Sequence, residues 1–309
     1  MGIFSGGPLT EVSLSTMWSL KYKSMAEFVR RAREFGFTHL ELNASLTPEK
    51  LNELLAVRGL PISSVHAPCP NARNWEGVEA NVLSLSALNE DERREAVGFA
   101  RATVDLAERV GAGFVILHAG WVVMNPELEQ GMRRLYDADQ AAGEEFNGLK
   151  SRLMAAREFF ACPHLEAAKE SLLELAGYAH SKGIRLGLEN RSDYHEIPTL
   201  EEMLDLLGEL PPETVGYWHD VGHAEMQSRL GFTPHEDWFT ALRDRMFGIH
   251  LHDIQGLSDH RAPGTGEQNW EMIAANIPDG AVRVCEIARW NKSADARRTV
   301  PFLREKGIV

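Results

Sequence analysis

The feature that most constrains the fold is a regular alternation of short apolar runs with longer amphipathic stretches. Each run is rich in β-branched or apolar residues and precedes a segment with the apolar spacing of a helix. The predicted strands cover residues 11–18, 38–43, 62–68, 113–120, 184–190, 214–220, 247–253 and 282–287. Eight consecutive β-then-α units without a break in composition predict an α/β protein, a (β/α)8 TIM barrel of parallel strands.

The 309 residues suit one such barrel, so we predict a single domain over residues 1–309. One segment interrupts the alternation. Residues 121–162 lie between the fourth strand and its helix and have a polar, mostly helical pattern. This pattern predicts a helical insertion at the C-terminal face of the barrel, acting as a surface excursion, a lid or a contact in a homo-oligomer. We also expect Pro48, Pro163 and Pro234 to begin helices, because proline suits the first helical turn.

The composition indicates which class of binding partner and which cellular compartment to expect. The formal charge of −13 disfavours nucleic acid, because binding to many phosphates needs a basic surface. No apolar run approaches the roughly 18 residues of a membrane span, so we expect no membrane association. The opening residues MGIFSGGPLTEV lack the pattern of a signal peptide. The three cysteines form no CxxC pair, which suits a reducing compartment, and we predict a cytoplasmic protein.

Residues that can carry chemistry recur where the predicted strands end. The active site of a TIM barrel is built at these ends, so acids and histidines there are candidate ligands or proton carriers. Six strands end in this way, with His66, His118, Glu189, Asp220, His250 and Glu286. The last four come from consecutive strands and are expected to surround one point above the barrel. Two Glu, one Asp and one His suit one divalent ion such as Mn²⁺, Co²⁺, Zn²⁺ or Mg²⁺.

Each of these residues also has a purely structural interpretation. Glu189 could pair with Arg191, Asp220 could cap a helix that begins at HDVGH, and a buried histidine could be satisfied by hydrogen bonds alone. The GTGE segment at 264–267 could cradle a phosphate, but a lone glycine pair is a weak signal and a plain turn accounts for it better.

The strand-end motifs together resemble the xylose isomerase-like TIM-barrel superfamily, which includes ketose 3-epimerases, sugar-phosphate isomerases, inosose dehydratases and AP endonucleases. The resemblance runs from about residue 10 to 309. It is carried, in order, by VHAP, LHAG, LGLEN, HDVGH, GIHLHD, PGTGE and VCEI. These motifs are specific for the superfamily and not for one reaction.

The resemblance implies a metal site and its surroundings. Glu189, Asp220, His250 and Glu286 match the shared metal ligands. His250 matches better than His252, because the family's metal histidine is followed three residues later by an acid, here Asp253. The expected contacts for substrate or a second metal are His66, His118, His223, His252, His260 and Arg289.

The implied activity is a metal-dependent isomerase or epimerase acting on a sugar or sugar phosphate. Glu189 and Glu286 would act as acid and base, removing a proton next to a carbonyl held by the metal and passing through an enediolate. The implied partner is therefore a small carbohydrate.

Two alternatives stay open. One is a phosphodiesterase of the AP-endonuclease type, in which His66, His118 and His260 would bind additional zinc. Against it, Ser258 stands where that family has Asp, with Asp259 next to His260. The other alternative is a sugar-binding barrel without turnover.

Overall fold

The predicted barrel is present and closed. The structure is a computed structural model that describes residues 11–57 and 59–309. Most of the opening segment MGIFSGGPLTEV, which bears on the signal-peptide prediction, lies outside the described residues. Eight parallel strands pair in chain order, and the first pairs with the last. They are β1 Ser13–Ser15, β2 His39–Leu42, β3 Ile62–His66, β4 Phe114–Leu117, β5 Arg185–Glu189, β6 Val215–Asp220, β7 Met246–Leu251 and β8 Val282–Cys285. Each strand overlaps its predicted range and ends at most three residues before the end of that range.

Helices follow the strands and cover the outer face of the barrel. They are α1 Met25–Glu34, α2 Pro48–Ala56, α3 Glu90–Val110, α4 Glu127–Asp137, α5 Glu144–Ser181, α6 Leu200–Glu209, α7 Val221–Arg229, α8 His235–Leu242, α9 Trp270–Asn276 and α10 Ser293–Glu305. Outward strand residues such as Leu40, Val65 and Leu186 are buried against them. Side-chain caps fix several starts, as where Thr199 and Glu202 form a capping box on α6. No helix in the described part of the chain has the length and apolar character to cross a membrane.

The prediction that Pro163 begins a helix is wrong. Pro48 and Pro234 do lie at helix starts, but Pro163 lies inside the 38-residue helix α5. Proline there removes the hydrogen bond to the carbonyl of Phe159, one turn earlier. Both residues are exposed, so water can satisfy that carbonyl. The fourth barrel helix and the second half of the predicted insertion are therefore one continuous helix.

Both helices of the predicted insertion contact the loop that follows β5. Glu129 of α4 accepts a hydrogen bond from the backbone N–H of Tyr194, at 2.5 Å, in the loop that follows β5. Arg157 of α5 donates to the carbonyl of the same Tyr194 at 2.6 Å. These contacts tie both insertion helices to the rim of the barrel. A role as a lid or subunit contact stays a prediction.

The lower part of the barrel interior is closed on one side by aromatic and aliphatic side chains. Trp218 packs with Phe114, Ile116 and Val284. The indole fits because neighbouring strands carry glycine. A Cβ built on Gly248 would lie 2.3 Å from an indole carbon, and one on Gly187 would lie 2.7 Å away.

We expect Gly248→Ala to destabilise the fold by about 1–3 kcal/mol, because the buried indole must move to admit the methyl group. Gly98→Ala is the matched control. Gly98 lies in α3 with open space around its Cβ position, so alanine should stabilise the protein by about 0.5–1 kcal/mol. Urea unfolding of both variants measures the two free energies. A Gly248→Ala protein as stable as the wild type would contradict the described packing.

Candidate active site

The barrel brings the predicted strand-end residues to one face. Glu189 and Asp220 are the last residues of β5 and β6, and His250 is the second-last residue of β7. Glu286 directly follows β8. His66 ends β3, and His118 directly follows β4. All six therefore occupy the C-terminal ends of their strands.

The Nδ1 atom of His250 is the centre of the arrangement. It lies 2.9 Å from Glu189 Oε1, 3.6 Å from Asp220 Oδ2 and 3.7 Å from Glu286 Oε2. The three carboxylates come from separate strands and are at most 4% exposed. The structure thus brings the four predicted metal ligands together.

The second oxygen of Glu189 contacts two further histidines. Oε2 lies 3.1 Å from His66 Nε2 and 2.7 Å from His118 Nε2. The His66 ring is nearly parallel to that of His250, with centroids 5.6 Å apart. Glu189 therefore joins β3, β4 and β7 through one side chain.

Asp220 is fixed by the helix that it begins. Its Oδ1 accepts from the backbone N–H of His223 at 2.8 Å, which is the predicted capping contact on α7. His252 Nε2 lies 3.0 Å from both carboxylate oxygens. Burial disfavours the charged form of His252, but the Asp220 carboxylate outweighs burial and raises the pKa of His252 to about 9. His252 thus holds Asp220 and does not face the cavity.

A second group of possible ligands lies above the first. His223, Asp259 and His260 place donor atoms within 4.8 Å of one another. Asp259 Oδ2 is 3.9 Å from His223 Nε2 and 3.7 Å from His260 Nε2. His260 adopts a φ of 51°, in the left-handed region, and its Nδ1 is buried without a hydrogen-bond partner.

Arg191 provides the cationic side chain of the site. Its guanidinium donates to His118 Nε2 at 2.6 Å and lies 3.5 Å from Glu189 Oε2. Its main partner is Glu196, whose Oε1 accepts from Arg191 at 3.0 and 2.8 Å. Burial raises the pKa of the Glu196 carboxyl, but Arg191 outweighs that effect, and the pKa is about 2. The positive charge of Arg191 is therefore neutralised within the protein.

Several of these residues line a cavity of about 410 Å³. This volume lies in the range of about 300–1,000 Å³ that is usual for small-molecule sites. The cavity is lined by Met17, Asn43, Ala44, Ser45, His66, Ala67, Pro68, Asn81, His118, Glu189, Arg191, His223, His260 and Glu286. Arg289 is exposed and is not among the lining residues.

The donor set fits a divalent cation. Burying three carboxylates costs several kcal/mol for each unless positive charge compensates. Burial alone would raise the pKa of Glu189 and of Asp220, but neighbouring imidazoles hold both well below the usual carboxylate value. Burial likewise opposes the charged form of His250, while Glu286, Glu41 and Glu189 raise its pKa well above the usual value. A divalent ion would supply the same compensation, and oxygen with imidazole donors suit Mn²⁺, Co²⁺, Zn²⁺ or Mg²⁺.

The GTGE segment does not face the cavity as a phosphate cradle. The backbone N–H groups of Gly264 and Thr265 donate to Asp253 Oδ2 at 2.9 and 3.1 Å. Gln268 N–H and the Trp270 indole donate to the same carboxylate. The amides are thus used by a buried aspartate, and the segment is a turn folded around it.

Sequence reasoning missed Glu41 of β2, which lies beneath the site with no exposed surface. The signal was the alternation within HLELN. Leu40 and Leu42 pack outward, which turns Glu41 into the barrel. Asp259, Arg191 and Glu196 were also not among the predicted site residues.

Comparison with known proteins gives a consistent fold assignment. A family model described as xylose isomerase-like TIM barrel matches residues 29–306. A search of curated proteins finds no match. Solved structures with the same fold include a D-tagatose 3-epimerase-like protein (TM-score 0.68, 19% identity, 96% of each chain covered). Another is a 3-keto-D-glucoside 4-epimerase from E. coli, with a TM-score of 0.66 and 17% identity, covering 96% of this chain and 99% of that chain. A third is a D-psicose 3-epimerase from Clostridium cellulolyticum H10 solved with D-tagatose, with a TM-score of 0.65 and 15% identity, covering 96% of this chain and 98% of that chain.

We expect Glu196→Gln to destabilise the protein by about 3 kcal/mol at pH 6, because the neutral amide no longer offsets buried Arg191. The pKa of Glu196 is lowered on folding, from 4.5 to about 2. Its stabilisation is therefore complete above pH 4.5 and is lost as the pH falls towards 2. Urea unfolding of both proteins between pH 6 and pH 3 should show a difference that shrinks with acidification. A difference independent of pH would contradict the ion pair.

Proposed function

Because this chain belongs to the xylose isomerase-like TIM barrel family, we propose that it is a divalent-metal-dependent sugar isomerase or epimerase. The observation that carries the proposal is the convergence of three buried carboxylates on His250 Nδ1, within 3.7 Å, beside a cavity of about 410 Å³. Three solved structures of the same fold are named as sugar epimerases or as similar to one, which supports this reaction class.

Glu189, Asp220, His250 and Glu286 would hold the ion. When bound, a divalent ion polarises a carbonyl and stabilises negative charge on its oxygen. Glu189 and Glu286 are the proposed acid and base. They come from β5 and β8, three positions apart around an eight-stranded barrel, so they approach a central substrate from nearly opposite sides. Glu189 removes a proton from the carbon next to the substrate carbonyl, and Glu286 returns one to the other face of the enediolate, or the reverse.

The two proposed proton carriers differ in how closely their neighbours hold them. Glu189 has both oxygens engaged by imidazoles, whereas Glu286 receives only a long hydrogen bond of 3.4 Å from Ser15. His223, His260 and Asn43 line the cavity and are the proposed partners of substrate hydroxyls. His118 and Arg191 are the proposed partners nearest Glu189.

The charges favour a sugar without a phosphate group. Among the described residues that line the cavity, Arg191 is the sole lysine or arginine, and Glu196 already neutralises it. The predicted contact Arg289 is exposed outside the lining. Phosphate recognition commonly uses arginine or lysine donors free to pair with the anion. We therefore infer a free ketose as substrate.

The proposal predicts exchange of a substrate proton with solvent. The metal-loaded protein should incorporate deuterium from D₂O at the carbon next to the carbonyl of at least one free ketose, and less into the matching phosphate ester. Glu286→Gln should slow exchange about 10²–10⁴-fold, because it removes one of the two proton carriers. Mass spectrometry and NMR measure the label.

The control is Glu201→Gln, on the exposed side of α6, which should exchange at the wild-type rate. Metal content of each variant is measured alongside, so that a lost ion is not mistaken for a lost proton carrier. Absence of exchange across a panel of ketoses, with metal bound, would refute the proposal.

A second candidate function is metal-dependent phosphodiester hydrolysis. The observation that favours it is the group His223, Asp259 and His260. Although Asp259 directly precedes His260 in the chain, its Oδ2 lies 3.9 Å from His223 Nε2 and 3.7 Å from His260 Nε2. His66 and His118 on Glu189 Oε2 could hold a further ion. The acidic chain and the neutralised Arg191 weigh against a nucleic-acid substrate.

Elemental analysis after mild dialysis separates the two functions. We expect about one divalent ion per chain, held by Glu189, Asp220, His250 and Glu286, because each of these side chains belongs to a residue at most 4% exposed. Two or three zinc ions per chain, together with hydrolysis of a model phosphodiester, would replace the epimerase proposal by the hydrolase. The control is the protein stripped with chelator and reloaded with a single equivalent of Mn²⁺.

A further inference from the structure

A buried carboxylate that the proposed mechanism does not use lies directly below the site. Glu41 of β2 has no exposed surface, and its Oε1 lies 3.3 Å from His250 Nε2. This oxygen has no hydrogen bond of good geometry, and Oε2 is 3.4 Å from the same nitrogen. A carboxylate buried in a barrel interior is costly unless hydrogen-bond donors or a cation compensate it, and His250 Nε2 offers such a donor.

We propose that Glu41 is a positioning residue, which accepts the Nε2 proton of His250 and thereby keeps His250 Nδ1 free to bind the cation. The inference rests on the proposed function only in that it assumes a metal at His250. It assigns to Glu41 no contact with substrate.

The two ring nitrogens of His250 face different surroundings. Nδ1 faces oxygens of Glu189, Asp220 and Glu286, whereas Nε2 faces Glu41. A neutral imidazole carries one proton. Without a cation, both nitrogens face carboxylates, and Nδ1 is the closer, 2.9 Å from Glu189 Oε1. With a cation bound at Nδ1, the one proton of the neutral ring is on Nε2, where Glu41 accepts it.

Neighbouring rings restrict rotation of the His250 imidazole. His66 lies nearly parallel to it at an interplanar angle of 11°, and the Trp218 indole approaches edge-on with centroids 5.5 Å apart. Packing therefore fixes the plane of the imidazole, in which Nε2 faces Glu41.

The carboxylate is itself held by a chain of hydroxyl groups. Ser64 donates to Glu41 Oε2 at 2.7 Å, Ser63 lies 3.2 Å from Ser64, and Ser13 lies 2.7 Å from Ser63. Barrel interiors are usually filled by bulky branched residues at such positions. The small polar side chains on β1 and β3 thus provide the space and the hydrogen bonds that Glu41 requires.

The test measures cobalt binding instead of sugar turnover. Metal-free wild type, Glu41→Gln and Glu41→Leu are titrated with Co²⁺ by calorimetry, and the visible spectrum is recorded at saturation. We expect about 10-fold weaker binding for Glu41→Gln and up to about 100-fold for Glu41→Leu, as for other residues that orient a metal-bound histidine. The Co²⁺ spectrum at saturation should keep its wild-type shape, because the ligands are unchanged.

The matched control is Glu129→Gln, which changes a buried carboxylate on α4 that contacts Tyr194 and His195. Its Co²⁺ affinity should stay within twofold of wild type. Wild-type affinity in both Glu41 variants would overturn the proposal. An altered Co²⁺ spectrum would also overturn it, since Glu41 would then be a ligand.

A second measurement covers the case in which Glu41→Leu does not fold. The ¹H–¹⁵N histidine spectrum of the zinc-loaded wild type should show His250 protonated at Nε2, its signal being identified by its absence in His250→Asn. Protonation at Nδ1 would overturn the proposal. Because neither readout uses a sugar, lack of activity towards every ketose would refute the proposed function while leaving this result in force.

Discussion

The contact between Glu189 and the imidazoles of His66, His118 and His250 organises the upper half of the barrel. One carboxylate at the end of β5 engages side chains from β3, β4 and β7, with Nε2 or Nδ1 at 2.7–3.1 Å. Such a group is stable in a buried place only because positive charge or a cation surrounds it. The same requirement keeps Asp220 and Glu286 close to His250.

The barrel interior below this cluster has an apolar side and a polar side. On β4, β6 and β8 it is filled by Phe114, Ile116, Trp218 and Val284. On β1, β2 and β3 it contains serines and Glu41. The apolar side fixes the His250 ring by packing, and the polar side faces its Nε2 atom. Gly187 and Gly248 make the division possible, because any larger side chain there would meet the indole.

Much of the fold and of the site could be predicted because both depend on local periodicity. Strand ends are visible as the point where an apolar run meets a turn, and in a parallel barrel all such ends share one face. This is why Glu189, Asp220, His250 and Glu286 could be selected together. The position of Pro163 inside a helix could not be predicted in this way, because a proline marks the start of a helix only where no helical turn precedes it. Here the preceding turn belongs to an exposed part of α5.

Other features depended on contacts between distant segments. The amides of GTGE bind the carboxylate of Asp253, eleven or more residues earlier in the chain, so no local pattern distinguishes this turn from an anion-binding loop. Arg191 is adjacent to Asn190 in the sequence and was considered as a partner of Glu189, yet its closer carboxylate is Glu196.

The sequence by itself determined the barrel, the face that carries the candidate site and the residue types on that face, because alternation of strands and helices and the identity of strand-end residues are local properties. Tertiary structure decided which of these groups touch. It placed His252 on Asp220 and left Arg289 exposed. It also brought Glu41 beneath His250, residues separated by 209 positions in the chain. Those outcomes follow from barrel closure, which sets distances between strands that no local pattern encodes.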